Sequence, residues 1–352
     1  MNLYDNALYR EDLEQVGALD LPWEKLRGTT FLVTGAAGMI ASFLIDVLME
    51  KNAAPDPLHC RILAMGRTPE RLRARFGAYE NSPDFEIVQG DVNRPLDIER
   101  ADYVFHAASN THPVAYATDP IGTITTNIIG TKNLLDYAAS SGARRFVFAS
   151  SNEIYGENRG DTELFDESYC GYIDCNTMRA GYPEGKRCGE ALCQAYIHQK
   201  GLDAVIARFT RSYGPSVKPD DTKAISQFIR KGVLGEDIVL KSAGTQLYSY
   251  TYVADAAAGL LAILLLGKTG EAYNIADEKS DITLKDLAQI IAFHAGREVV
   301  FELPDAVESA GYSRATKALL NGSKLKALGW QPRYDIYSGI TRTIDILREQ
   351  VM

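Results

Sequence analysis

Short apolar runs alternate with longer amphipathic stretches over the first two thirds of the chain. Six runs of four to six residues are rich in Val, Ile, Leu and Phe, which predicts buried strands at residues 29–34, 61–65, 85–89, 103–106, 145–150 and 204–209. Apolar residues at helical spacing predict helices at residues 38–50, 119–140 and 182–200. Because nearly all-apolar strands alternate with helices, the pattern predicts an α/β fold, a Rossmann-type doubly wound parallel sheet that is covered on both faces.

After about residue 213 this rhythm changes, and Gly214-Pro215 marks a loop. The later segments are shorter, with strands predicted at residues 238–241 and 272–275 and helices at residues 223–231, 253–266, 284–295 and 338–348. This predicts a smaller C-terminal lobe, built partly of segments that return to the sheet. We therefore divide the chain into an N-terminal arm (residues 1–27), a main domain (28–212) and the C-terminal lobe (213–352).

Composition narrows the class of protein. The chain has 352 residues, of which 46% are hydrophobic and 24% charged, as expected for a globular protein with a full core. Its net charge of −9 argues against general binding of nucleic acid. The longest apolar run, at residues 256–266, is shorter than the roughly 20 residues that span a bilayer, and residues 2–27 lack the pattern of a signal peptide. We therefore expect a cytoplasmic protein with no membrane segment.

The cysteines do not suggest a covalent framework or a metal centre. There are five of them, an odd number that argues against a set of disulfides: Cys60, Cys170, Cys175, Cys188 and Cys193. Four residues separate the members of the two closest pairs, which exceeds the usual zinc-ligand spacing, and no histidine is suitably placed. We expect reduced thiols and no metal site.

A glycine-rich turn joins the first predicted strand to the following helix and reads TGAAGMI over residues 34–40. Gly35 suits the tight turn, and Gly38 lets the backbone approach a pyrophosphate at the helix N-terminus, where free N–H groups and the helix dipole favour an anion. The third small residue of the pattern is Ala41. The sequence therefore predicts a dinucleotide-binding domain at residues 28–212, with the cofactor held by Gly35, Ala37, Gly38, Met39 and Ile40.

The choice between NAD and NADP depends on the end of the second strand. An acidic residue there binds the ribose 2′-hydroxyl of NAD, whereas arginine suits the 2′-phosphate of NADP. Gly66 and Arg67 stand at this point, so the sequence leans towards NADP and does not exclude NAD. Asp91, followed by Val92, is suited both to contact the adenine and to form a turn.

Tyr182 and Lys186 stand four residues apart at the start of a predicted helix and therefore share one face. A lysine cation beside the phenol would stabilise the phenolate and lower the tyrosine pKa from about 10. Such a phenolate is a general base for a substrate hydroxyl from which hydride also departs. Ser150 and Ser151 close the fifth predicted strand nearby.

Seven motifs in a consistent order resemble the extended short-chain dehydrogenases/reductases of the nucleotide-sugar epimerase/dehydratase/decarboxylase type. They are TGAAGMI at 34–40, HAAS at 106–109, SSNEIYG at 150–156, YPEGK at 182–186, RFTRSYGP at 208–215, YTYVAD at 250–255 and LGWQP at 328–332. The resemblance covers about residues 29–345. It implies an NAD(P)-dependent enzyme with the cofactor over the N-terminal sheet and a nucleotide-diphosphate sugar under the C-terminal lobe.

The resemblance also implies residue roles. Tyr182 would be the base at the sugar 4-hydroxyl, Lys186 would hold the nicotinamide ribose and Ser151 would bind the 4-oxygen. The residues implied to line the cofactor are Ala107, Ala108, Ser109 and Asn127. The usual dimer of such proteins is a four-helix bundle, here made by residues 119–140 and 182–200 of two copies.

Which reaction follows C4 oxidation depends on the residues after Ser151. Glu153 matches the glutamate of dehydratases and decarboxylases, which favours elimination or decarboxylation of a 4-keto intermediate. Asn152 stands where one dehydratase class has an acidic residue, and a carboxamide cannot deliver a proton. The alternatives are a C4 epimerase, a net NAD(P)-dependent reductase or dehydrogenase, and a catalytically silent dinucleotide-binding protein.

Three further residues are candidates for contact with the substrate. Many relatives have an arginine where this chain has Tyr248, and Arg211 stands where an asparagine is usual. We hypothesise that Arg211 replaces the missing cation at the phosphates, because a guanidinium suits bidentate phosphate binding. His112, in a loop, is placed to border the substrate.

Overall fold

Seven parallel strands form the main sheet of the computed structural model, in the order β3-β2-β1-β4-β5-β6-β10. The structure describes residues 3–111, 113–218, 221–302 and 316–351. The bounds of the seven strands are Thr30–Thr34 (β1), Arg61–Gly66 (β2), Phe85–Gln89 (β3), Tyr103–His106 (β4), Arg145–Ser151 (β5), Ala204–Phe209 (β6) and Ala272–Ile275 (β10). The strand order reverses between β1 and β4, so the predicted doubly wound sheet is confirmed.

Successive residues of the central strands enter two separate cores. Phe31 and Val33 of β1 belong to one apolar cluster, and Leu32 between them belongs to the other. Because side chains alternate across a sheet, both faces must be covered, which explains the nearly all-apolar strands. The helices of this region are α2 (Met39–Ala53), α3 (Pro69–Phe76), α4 (Pro113–Thr118), α5 (Pro120–Thr125), α6 (Thr131–Ser141) and α7 (Gly181–Lys200).

The helix predicted at residues 119–140 is divided into segments. The Asp119 side chain accepts a hydrogen bond from the Gly122 backbone N–H at 3.0 Å and caps α5, whose first residue is Pro120. A π-helical turn, Thr126–Gly130, then separates α5 from α6. The apolar spacing predicted one continuous helix. A π turn contains one residue more than an α-helical turn, and no feature of composition marks it in the sequence.

The N-terminal arm packs onto both parts of the molecule. Its helix α1 (Ala7–Gly17) contacts α2 of the sheet domain and α9 (Val253–Leu266) of the C-terminal region. The fully buried Asp12 carboxylate accepts hydrogen bonds from the Tyr252 and Tyr334 hydroxyls at 2.6 and 2.7 Å and from Arg342 Nε at 2.8 Å. The arm is therefore tied to the C-terminal lobe by a buried polar cluster.

The C-terminal lobe contains two small sheets. One joins β7 (Arg211–Tyr213), β9 (Leu247–Tyr252), β11 (Asp281–Thr283) and β13 (Lys317–Ala318), and the other joins β8 (Ile238–Leu240) to β12 (Val299–Phe301). Besides α9, its helices are α8 (Ala224–Leu234), α10 (Leu284–Ala295), α11 (Ser323–Lys326) and α12 (Ile336–Val351). Strand β10 pairs with β6 in the main sheet, and the domain boundaries remain a prediction. Among the described residues, no helix is long and apolar enough to cross a membrane.

Candidate active site

A cleft of about 570 Å³ lies between the carboxyl ends of the main sheet strands and the C-terminal lobe. Its walls come from the turn after β1, the ends of β2, β4 and β5, the start of α7, and the segments β7, α8 and β9. A crevice at the reversal of strand order is the usual ligand site of an open α/β sheet. Most of the residues predicted for the site line it: Gly35, Gly38, Met39, Ile40, Arg67, Ala107, Ser109, Ser151, Asn152, Glu153, Tyr182, Lys186, Arg211 and Tyr248.

The glycine turn has the shape that a dinucleotide requires. Gly35 has φ +65°, and a Cβ atom there would lie 2.9 Å from the Ala108 backbone. Gly38 is the N-cap of α2 and has no side chain that could cap the helix. The first backbone N–H groups of α2 are therefore left for a ligand. The backbone thus leaves a cradle that any larger residue would fill, and the turn fits a pyrophosphate. Ala37 lies in the turn but does not line the cleft.

The residues after β2 and β3 separate into two groups. Arg67 and Arg71 line the cleft. Asp91 and Val92 do not, because the Asp91 carboxylate accepts the Asn93 backbone N–H at 3.0 Å and closes a local turn, while Val92 is buried against Gly130. In this structure Asp91 therefore has the turn conformation that the sequence left open beside adenine contact.

Asn127 is buried next to Ser109, a residue that lines the part of the cleft predicted to bind the cofactor. Its side chain is fully buried in the π turn, and its Oδ1 accepts a hydrogen bond of 3.0 Å from the Ser109 hydroxyl. Asn127 and Ala108 are not among the residues that line the cleft, and Ala108 packs its backbone close to Gly35, so their predicted contact with the cofactor stays a prediction. Asn127 positions Ser109, which does line the cleft.

Tyr182 and Lys186 lie in the first two turns of α7, facing the end of β5. The Lys186 ammonium donates a 2.8 Å hydrogen bond to the Ala149 carbonyl and lies 5.9 Å from the centre of the Tyr182 ring. Burial lowers the pKa of Lys186 to about 7, against an opposing effect of Glu190. Burial therefore opposes the lysine cation that the sequence suggested beside the phenol.

The Tyr182 pKa is also different from the expectation. Burial, followed by the negative charge of Glu153, raises the pKa of the phenol, while a hydrogen bond with Ser151 and the cation of Arg179 lower it. The predicted lowering by Lys186 is not found. Ser151 Oγ ends β5 and also accepts the Glu153 backbone N–H at 3.2 Å, and Asn152 Oδ1 lies 3.5 Å from this hydroxyl. The serine thus links the tyrosine to the turn that carries Glu153.

Arg179 is the cleft residue that sequence analysis missed. Its Nη2 lies 2.6 Å from both carboxylate oxygens of Glu153, and its guanidinium carbon lies 4.4 Å from the centre of the Tyr116 ring. Tyr116 in turn packs on Tyr182, with ring centres 5.0 Å apart. The available signal was the position of Arg179 three residues before Tyr182, in the same segment as the motif.

On the lobe side, the Arg211 guanidinium lies over the Tyr248 ring at 3.5 Å from its centre. Arg211 stands on β7 and pairs with Tyr250 of β9, so it neighbours Tyr248 across the sheet. Its Nη1 is buried without a hydrogen-bond partner among the described residues. The third predicted substrate residue, His112, lies outside the described residues.

Comparisons with known proteins identify the family of this chain. Residues 31–276 match the sequence model of the NAD dependent epimerase/dehydratase family. UDP-glucuronic acid decarboxylase 6 of Arabidopsis thaliana is 32% identical over 88% of this chain and 86% of its own length, and UDP-glucuronic acid decarboxylase 3 of the same plant is 33% identical over the same shares. A dTDP-glucose 4,6-dehydratase of Streptomyces venezuelae, solved with NAD bound, superposes with a TM-score of 0.78 at 25% identity and covers 91% of this chain and 97% of its own. The chain belongs to the NAD-dependent epimerase/dehydratase family of extended short-chain dehydrogenase/reductase enzymes.

Proposed function

We propose that the protein oxidises a nucleotide-diphosphate sugar at C4 and that the 4-keto intermediate of a uronic acid then loses carbon dioxide. The observation that carries this proposal is the convergence of Ser151, Glu153, Tyr182 and Lys186 at one end of the cleft. The kinship with UDP-glucuronic acid decarboxylases over most of the chain supports the decarboxylation step. The Arg211 guanidinium in the cleft wall suits the phosphates of such a substrate.

In this proposal Tyr182 removes the proton of the sugar 4-hydroxyl, and Ser151 donates a hydrogen bond to the 4-oxygen. The nicotinamide dinucleotide, when bound, accepts the hydride that leaves C4. Gly35, Gly38 and Ser109 would hold this cofactor. Lys186 lies 5.9 Å from the centre of the Tyr182 ring, and its protonated form would favour the phenolate form of Tyr182, which accepts this proton and becomes a neutral phenol.

Elimination of water is the second candidate, and the Glu153–Arg179 contact favours it. Arg179 Nη2 lies 2.6 Å from the Glu153 carboxylate and holds it at the cleft, where a carboxylate is suited to act as a base for the C5 proton of a 4-keto sugar. The dTDP-glucose 4,6-dehydratase of S. venezuelae has the same fold over nearly its whole length. Epimerisation at C4, net dehydrogenation and silent binding of a dinucleotide are the remaining possibilities.

Mass spectrometry of nucleotide sugars incubated with the protein separates these reactions. UDP-glucuronic acid is expected to lose the mass of carbon dioxide, whereas loss of water from UDP-glucose, dTDP-glucose or GDP-mannose would establish a dehydratase. An isomer of unchanged mass would establish an epimerase. The variant Tyr182→Phe should lower kcat about 100- to 10,000-fold, and the control Tyr172→Phe, in an exposed loop, should not. A protein whose Tyr182→Phe variant keeps its function is a silent binder.

The cofactor preference is proposed to be NADP. Arg67 follows β2 and lines the cleft, where its guanidinium suits a 2′-phosphate. Arg67→Ala should weaken NADP binding about tenfold or more in a titration and leave NAD binding within about twofold. Arg73→Ala is the matched control, because Arg73 is exposed on α3 and does not line the cleft. Equal affinity of the unaltered protein for both cofactors would contradict the preference.

A homodimer through α5, the π turn, α6 and α7 is also proposed. Ile121, Ile124 and Ile129 in this region are 76%, 39% and 44% exposed, which is unusual for isoleucines that share one stretch of helix. Ile121→Glu should shift the mass measured by analytical ultracentrifugation from dimer to monomer. Phe293→Glu, on α10 and 78% exposed, is the control that should leave the dimer intact. A monomer before substitution would contradict this interface.

A reducing compartment is proposed, in keeping with the cytoplasmic location expected from the sequence. All five cysteines lie within the described residues as free thiols, and Cys60 and Cys193 are buried. Burial raises the pKa of both thiols, which suits packing rather than reactivity. Thiol titration of the unfolded protein under non-reducing conditions should find five free groups.

A further inference from the structure

Arg179 connects three side chains at the reactive end of the cleft. It stands in the short turn Met178–Ala180, directly before α7. One of its nitrogens lies 2.6 Å from both Glu153 oxygens, so it bridges the carboxylate symmetrically. Its guanidinium also stacks on Tyr116, whose ring lies at 31° to that of Tyr182. The order of contact is therefore Glu153, Arg179, Tyr116 and Tyr182.

Arg179 and Glu153 are partly buried, which limits the groups that can hold them in place. The side chains of Arg179 and Glu153 are 19% and 22% exposed. Arg179 Nε and Nη1 are buried without hydrogen-bond partners among the described residues. The contact with Glu153 and the Tyr116 ring are thus what hold the guanidinium in place. A partly buried ion pair is screened less by solvent than a surface pair, so its effect on Glu153 is larger.

We propose that Arg179 is a positioning residue that fixes the Glu153 carboxylate at the cleft and, through Tyr116, holds the plane of the Tyr182 ring. This inference rests on the proposed function, in which both Glu153 and Tyr182 act on the sugar. It assigns Arg179 to neither the cofactor nor the nucleotide. The proposed reactions at C4 and at C5 of the sugar thereby both depend on the Arg179 side chain.

The electrostatic consequence follows from the groups around Glu153. Arg179 is its cationic partner, from the turn before α7. The other titratable groups that interact with its charge are phenols: Tyr116 of α4, Tyr182 of α7 and Tyr248 of β9. Since neutral phenols do not replace a cation, loss of Arg179 should remove the positive charge beside the Glu153 carboxylate and free that carboxylate to rotate.

The variants Arg179→Gln and Arg179→Lys separate charge from geometry. With the substrate that the unaltered protein converts, Arg179→Gln should lower kcat about 10- to 100-fold with KM within about threefold, because a small misplacement at the reacting atoms is costly. The acidic limb of the pH–rate profile should move to higher pH. Arg179→Lys should keep the limb in place and recover only part of kcat, because an ammonium restores the charge but not the planar stack on Tyr116.

Arg187→Gln is the matched control. Arg187 lies two turns along from Arg179, donates to the Ile154 and Gly171 carbonyls and does not line the cleft. Its loss should leave the acidic limb where it is. A drop in kcat with an unmoved acidic limb in Arg179→Gln would make Arg179 a residue of the scaffold only and overturn the proposal.

A direct spectroscopic test keeps this inference separate from the proposed function. The protein is labelled with ¹³C at the glutamate side-chain carboxyls, and the signal of Glu153 is assigned as the one that Glu153→Gln removes. At fixed pH, the chemical shift of this signal should change in Arg179→Gln and stay near its original value in Arg179→Lys. If no nucleotide sugar is converted, the proposed function fails, yet this change still supports the pairing; an unchanged chemical shift in Arg179→Gln overturns it. If Arg179→Gln does not fold, Tyr116→Leu is the test: loss of the stack should change the same chemical shift, and an unchanged one overturns the proposal.

Discussion

The guanidinium carbon of Arg211 lies 3.5 Å from the centre of the Tyr248 ring. The resemblance described in the sequence analysis singles out both positions, since it leads one to expect an arginine at 248 and an asparagine at 211. Their contact brings the Arg211 charge next to residue 248 of β9. The stack also leaves Arg211 Nη1 without a partner among the described residues, as a donor suited to an anionic ligand.

Arg211→Ala should weaken the binding of a nucleoside diphosphate about 10- to 100-fold, which is the range for loss of a charged hydrogen bond. Calorimetric titration with UDP measures this without knowledge of the sugar. Arg297→Ala, an exposed arginine after α10, is the control. Tyr248→Phe should retain affinity, because the ring that supports the guanidinium remains. Unchanged affinity in Arg211→Ala would show that the phosphates bind elsewhere.

Gly35→Ala should abolish tight cofactor binding and destabilise the fold, because the new Cβ would lie 2.9 Å from the Ala108 backbone at a positive φ. Gly28→Ala isolates the effect of backbone conformation, since Gly28 has φ +64° with nothing within 4 Å of the added Cβ. That control should cost about 1–2 kcal/mol in urea unfolding and leave NAD(P) titrations unaltered. Equal losses in the two variants would mean that the close approach to Ala108 is unimportant.

Lys186→Met should inactivate the protein and yet raise its melting temperature near neutral pH. The folded pKa of Lys186 is about 7, below the ordinary value of 10.5, so the folded state resists protonation of this amine. The unfolded state binds more protons between these values, and the stability of the unaltered protein therefore rises with pH across that window. The advantage of the variant should be full below about pH 7 and fade towards pH 10.5.

Melting curves from pH 6 to 10 check this dependence, with the exposed Lys268→Met as control. An advantage of Lys186→Met that stays constant over this range would show that burial does not shift the lysine. The control variant should follow the unaltered protein at every pH.

Asp12→Ala should destabilise the protein by about 3 kcal/mol, because it leaves the Arg342 charge and two tyrosine hydroxyls without their buried partner. Urea unfolding measures the loss, and the exposed Asp20→Ala is the control. Since this cluster joins the N-terminal arm to the lobe, the variant should also loosen the cleft and raise the Kd of a nucleoside diphosphate. A change below about 0.5 kcal/mol would show that the arm is dispensable.

Local sequence signals predicted much of what was found. The six strands and the helix α7 follow from apolar periodicity, and the cradle after β1 follows from two glycines whose conformation few other residues adopt. The π turn was missed, because its composition resembles that of an ordinary helix. The sequence left Asp91 open between adenine contact and a turn, and the structure shows the turn; the partner of Asn127, the Ser109 hydroxyl, could not be read from the motif.

By itself, the sequence determined the layered α/β architecture, the dinucleotide turn and the pairing of Tyr182 with Lys186. The reason is that hydrophobic periodicity, the conformation of glycine and the spacing of residues along a helix each act within a few residues of chain. Only the tertiary structure decided that Arg179 meets Glu153 across 26 positions and that Arg211 covers Tyr248. It also decided the pKa of Lys186, since burial depends on every element packed around a side chain. Contacts between distant segments and their desolvation arise only when the chain has folded.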